Sequence, residues 1–206
     1  MLQPCQDNYS TTFDSYERMR RYHEKESAES LWRRCKVNEL HIEPLDKMSP
    51  LYETPSAFAA GVSRASIEDT AENLGLALQV EGAYYPVRST AYKSLLDRAK
   101  INGTALPKLS RQKLASVLND CLALYSAETR LLIRDEKISA THSGDSMDYS
   151  VLPIDELLKV LTRKLDDRFA GNVFQGGYCD HALAVASWSM PGQKEDLLGA
   201  SLLYPS

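Results

Sequence analysis

The chain has 206 residues, 43% of them apolar and 25% charged, a balance that fits a folded protein and argues against extended disorder. Its formal charge of -4 gives no global attraction to phosphate or anionic lipid, so contact with either needs a local basic patch. No run approaches the roughly 20 apolar residues of a membrane span, and polar residues interrupt Met1 to Phe13 where a secretory leader needs an apolar stretch.

These exclusions leave a cytoplasmic protein without membrane contact as the expectation. Cys5, Cys35, Cys121 and Cys179 lie far apart in the chain, a spacing that reads as four reduced thiols.

Thr11 to Lys36 contains no Pro or Gly, and Phe13, Tyr16 and Met19 recur at three-residue spacing before a charged run. The pattern predicts a half-solvated helix or two short ones. Leu40 and Ile42 then alternate with His41 and Glu43, while Pro44, Pro50 and Pro55 punctuate a linker. Residues 1–55 therefore read as a charged helical extension with linker, and residues 56–206 as one core domain.

Within that core, Ser66 and Asp69 mark a short helix ending near Gly75, and Leu76 to Val80 and Ala83 to Val87 flank Glu81-Gly82 as a hairpin. Ser89 suits the cap of a helix with Tyr92, Leu95, Leu96 and Ala99 on one face. A second helix opens at Ser110 and carries Leu114, Val117, Leu118, Cys121, Leu122 and Tyr125. Thr129 to Arg134 and Ile138 to His142 predict another hairpin, joined by Asp135-Glu136-Lys137, with Arg130, Leu132 and Arg134 opposite Leu131 and Ile133.

Pro153 starts a helix with Ile154, Leu157, Leu158, Leu161, Leu165 and Phe169 on its buried side. Two strands, Asn172 to Tyr178 and His181 to Met190, and a last helix over Gln193 to Leu203 complete the chain. Helices and hairpins alternate without a strand-helix-strand rhythm, which predicts an α+β fold: an antiparallel sheet of hairpins packed against several amphipathic helices.

No residue is assigned to catalysis, to a metal or to a cofactor. Cys179 and His181 are placed to share a strand face, yet a metal site needs further ligands, and only a tertiary contact with His142 or Cys121 would supply them. Thr141, His142, Ser143 and Asp145 have the residue types of a nucleophilic triad, but triads converge from separate elements. Gly176-Gly177 lacks the sequel of a phosphate loop and predicts a turn or bulge. Asp166-Asp167 and Asp145 to Asp148 read as solvated carboxylates.

Two basic groups stand out. Lys100, Lys108, Arg111 and Lys113 gather around the connection into the helix at Ser110, whose dipole also favours an anion, and they form the candidate nucleic-acid site. Arg18, Arg21, Arg33 and Arg34 lie in the charged extension among interleaved glutamates and form a candidate partner surface.

The run from Arg134 to Ser143, followed by Tyr149, Leu152 and Glu156-Leu157-Leu158, resembles domain of unknown function 932, a phage- and plasmid-associated family. Ser187 to Gln193 and Asp196 to Gly199 resemble stretches in relatives from gut-bacterial mobile elements. The resemblance covers about Glu72 to Leu198, implies a habitat in a bacterial host, and transfers no functional residue. The leading expectation is a non-enzymatic accessory protein of a phage or mobile element that contacts DNA or RNA. One alternative is an inhibitor that binds a host defence protein through the extension; the other is a hydrolase or metal enzyme using Cys179, His181 and His142.

Overall fold

The computed structural model describes residues 3–144, 152–190 and 201–203. The fold is α+β: among the described residues, five α-helices accompany ten strands in three antiparallel sheets. The chain divides into two compact units, the first formed by Met1–Asp7 and Ser30–Ser150, the second by Asn8–Glu29 and Val151–Pro205. This differs from the expected division near residue 55, because the early strands pair with later ones.

The segment expected to be helical from Thr11 to Lys36 is strand β1 (Ser10–Phe13), helix α1 (Tyr16–Glu29) and strand β2 (Leu31–Lys36). β1 pairs with β8 (Val173–Asp180), and β2 pairs with β6 (Glu128–Arg134). Long-range strand pairing overrides the uninterrupted helical composition, which carries no signal of distant partners.

In the first unit, β3 (His41–Pro44), β4 (Leu76–Val80) and β5 (Ala83–Pro86) form one sheet in the order β3-β4-β5. Glu81 and Gly82 both have positive φ, as the expected two-residue hairpin turn requires. A second sheet has the order β2-β6-β7, with β7 spanning Lys137–Ser143. Its hairpin turns on Asp135 and Glu136 alone, both at positive φ, and Lys137 already belongs to the strand.

Helices α3 (Tyr92–Ala99) and α4 (Arg111–Leu122) cover these sheets. Leu95, Leu114, Leu118 and Leu122 pack with Leu76, Leu78, Leu131, Ile133 and Ile138 in one core. Each such side chain stabilises the fold by about 1.5–3 kcal/mol on burial. Helix α2 (Arg64–Glu72) builds a smaller core from Ile67 and Ala71 with Leu45, Tyr52 and Phe58.

Two sheet edges are closed by side chains. Asn119 of α4 accepts from the Ile42 N–H and donates to the Ile42 carbonyl, each at 2.8 Å, so one amide stands where a further strand would pair with β3. At β7, the Thr141 N–H donates to Ser94 Oγ at 3.0 Å.

In the second unit, β1, β8, β9 (Leu183–Ser189) and β10 (Ser201–Leu203) form a sheet in that order. The expected final helix is thus corrected at its last three residues by pairing with β9; residues 191–200 lie outside the described ones. Helices α1 and α5 (Ile154–Arg168) pack together, and Met19 and Leu158 join Phe13, Cys179, Ala184 and Ala186 in the core. The expected irregularity at Gly176-Gly177 is a register shift between Phe174 and Gly176. A Cβ at Gly177 would meet the Met19 sulfur at 2.5 Å, so glycine here admits the close approach of α1.

Candidate functional site

The two groups of candidate basic residues separate. Lys100 is the left-handed C-cap of α3, Lys108 ends a 3-10 turn, and Lys113 lies in the first turn of α4; all three are exposed. Arg111 crosses Gly75 and donates to the Asn73 carbonyl at 3.0 Å, which ties its guanidinium to the end of α2. Ser110 accepts from the Lys113 N–H at 3.3 Å, so a side chain already serves part of that helix start.

Arg18 and Arg21 belong to α1, where they pair with Asp14 and Glu17 at 2.9 Å. Arg33 and Arg34 belong to β2, in the other unit. The candidate partner surface is therefore not one helix face.

The register of the β2-β6-β7 sheet assembles a different basic cluster. Arg34 stands opposite Arg130, and Arg130 opposite His142, giving a cross-strand line of three basic side chains on one face. Trp32, Leu132 and Ala140 form the adjacent line, and the Trp32 and His142 rings are 5.7 Å apart. The alternation that puts Thr129, Leu131 and Ile133 in the interior leaves Arg130, Leu132 and Arg134 half-buried on the other face.

Like charges directly opposite each other across two strands destabilise a sheet. Among the described residues neither Arg34 nor Arg130 has an acidic partner, and Arg130 Nε is buried without a hydrogen-bond acceptor. Burial first, and then the charge of Arg98, hold the His142 imidazole below its ordinary value of 6.5. At neutral pH the positive charge of this line therefore comes from the two arginines. A surface with uncompensated guanidinium groups beside an aromatic ring is equipped to bind an anion and to stack a planar group.

A second polar cluster is buried. Arg88 and Lys137 are both 0% exposed. Lys137 Nζ lies 3.0 Å from Asp7 Oδ1 and 2.5 Å from Asp69 Oδ2. Arg88 donates to the carbonyls of Pro4 and Gln6 and to Ser139 Oγ, each at 3.3 Å. The Ser89 N–H donates to Asp7 Oδ2 at 2.9 Å, and the Asp7 N–H donates to Asp69 at 3.0 Å.

Burial alone would raise the Asp7 carboxyl, but hydrogen bonding from Ser89 and the Lys137 ammonium reverse this and hold it below the ordinary 3.8. Glu136 follows the same logic. Its Oε2 accepts from the Ser63 N–H at 2.8 Å and from the hydroxyls of Ser63 and Ser66. These bonds outweigh its desolvation and lower its pKa from 4.5. They also fasten the hairpin tip to the start of α2.

The residues considered for chemistry do not converge. Cys179 is buried in the apolar core, while His181 follows the end of β8 and lies 6.0 Å from the Tyr9 ring; Asp180 turns the chain between them by accepting from the Ala182 and Leu183 N–H groups. Thr141 is buried while His142 is half-exposed on the opposite face, and residues 145–148 lie outside the described ones. Among the described residues no group of three or more His, Cys, Asp or Glu is placed to hold a metal. Burial, followed by the charges of Glu39 and Glu81, pushes the Cys35 thiol up to about 11, so it is protonated and weakly nucleophilic at neutral pH. In the second unit, His23 is 2% exposed with Nδ1 3.1 Å from Glu26, and its Nε2 has no partner among the described residues.

No helix among the described residues is long and apolar enough to cross a membrane. No protein-family model, curated protein or solved structure matches the chain.

Proposed function

We propose that this chain is a non-enzymatic accessory protein that contacts DNA or RNA in the cytoplasm of a bacterial host, with the Arg34–Arg130 sheet face as its contact surface. The resemblance to domain of unknown function 932 adds the expectation of a phage or mobile-element setting. The observation that carries the reading is the juxtaposition of Arg34 and Arg130 across two strands with no ion pair to an acidic side chain among the described residues. Two guanidinium groups held together at a cost to the sheet are offset when a phosphate lies between them. Trp32 in the next line suits a single strand, whose bases offer a flat face to an aromatic ring.

The test is fluorescence anisotropy with labelled single- and double-stranded oligonucleotides at about 50 and 200 mM salt. Binding should weaken as salt rises, and Arg34→Gln and Arg130→Gln should each reduce the salt slope by about one. Lys108→Gln with Lys113→Gln tests the rival surface beside α4. Absence of salt-sensitive binding sinks the proposal; binding lost with the lysines and kept without the arginines moves the site.

A further inference from the structure

The segment of residues 3–7 forms turns and pairs with no strand. It is held almost wholly by polar groups that the first unit supplies from elsewhere in the chain. Arg88 binds its carbonyls at Pro4 and Gln6, Lys137 and the Ser89 N–H bind its carboxylate at Asp7, and Asp69 accepts its N–H at the same residue. Cys5 is its one buried apolar side chain. Carbonyls read by a guanidinium, one anchored carboxylate and one small apolar contact are the contacts by which a folded protein recognises a short acidic peptide.

The receiving groups come from Arg88 and Ser89 shortly after β5, from β7 and from α2, all within one unit. At Asp7 the chain leaves that unit, and from Asn8 it belongs to the other. The segment belongs to the first unit through these contacts, while no strand pairing fixes it there and the chain that follows it departs at Asn8. Arms joined in this way are the elements that identical chains exchange.

We propose that Arg88, Lys137, Asp69 and Ser89 form a peptide-acceptor site, filled by residues 3–7 of the same chain and able to take residues 3–7 of a second copy instead. The site selects an aspartate at the position of Asp7 and a free carbonyl three residues before it. In the unaltered chain the attached segment competes at high effective concentration, so the exchange becomes visible when that segment is weakened.

The experiment uses the full chain carrying Asp7→Ala, with Asp7→Asn as a milder variant that keeps an acceptor for the Ser89 N–H. The probe is a synthetic peptide with the sequence of residues 1–9. The variant should melt at a lower temperature than the parent chain and recover on adding the peptide. The same peptide with Asn in place of Asp7 should bind at least about thirtyfold more weakly, as expected when one member of a buried charge pair is removed. Mixing the Asp7→Ala chain with a Lys137→Met chain should give a one-to-one complex by native mass spectrometry, since one supplies an intact acceptor and the other an intact arm. A variant that melts like the parent overturns the proposal. So does one that is weakened yet shows no rescue by millimolar peptide, or a mixture in which both chains stay monomeric.

Discussion

Helix α1 and the Arg88–Lys137 cluster use the same residue types in opposite surroundings. On α1, Arg18 and Asp14 pair at 2.9 Å with 68% and 73% of their side chains exposed, and Arg20 bridges Glu17 and Glu24. Lys137 makes its bridges at 0% exposure. Surface pairs contribute little, because water solvates either ion alone; buried pairs are costly to break, because the survivor has no water. Geometry alone does not distinguish the two regions, and burial does.

The sharpest test of that contrast is Lys137→Ala, which leaves Asp7 and Asp69 facing each other in the interior. Chemical denaturation should show a loss of about 3–5 kcal/mol. A loss below 1 kcal/mol would mean that water reaches the site. A smaller effect separates packing from charge: Gly177→Ala brings a methyl onto the Met19 sulfur and should cost about 1–3 kcal/mol, relieved in part by Met19→Ala in the same chain.

Acid should distinguish the regions next. Asp7 and Glu136 have folded pKa values below their ordinary 3.8 and 4.5. The unfolded chain therefore takes up protons first, and the stability these groups provide, complete above those values, is lost as pH falls through the folded ones. Melting temperature followed downward from pH 5 should fall more steeply in the parent than in Asp7→Asn; parallel curves would remove Asp7 from the account. The smallest effect is expected on α1, where Arg18→Ala should leave the melting temperature unchanged and insensitive to salt. A marked drop would show that exposure understates the pairing.

Much of the first unit was legible before the structure, for reasons that lie in particular residues. Glu81-Gly82 between two apolar runs specifies its own hairpin, and the Leu114, Leu118 and Leu122 spacing specifies α4, because both signals are local. The Arg130, Leu132 and Arg134 alternation was equally readable. Its counterpart Arg34 was not, since it lies about a hundred residues upstream in a stretch whose composition favours helix, and only the β2-β6 register brings the two arginines together. In the sequence Lys137 reads as part of a turn. Its burial depends on Asp7 and Asp69, which are brought to it by tertiary folding and leave no periodic trace in sequence.

The amide of Asn119 carries a consequence for handling the protein. A bare strand margin is a template on which unrelated chains or further copies can polymerise, and at Ile42 that margin is sealed by a single side chain with matched donor and acceptor. Asn119→Leu would preserve the helix yet uncover both backbone groups, and insoluble fibrous material that binds thioflavin would be its signature. One carboxamide thus occupies the two backbone groups on which a further strand would build.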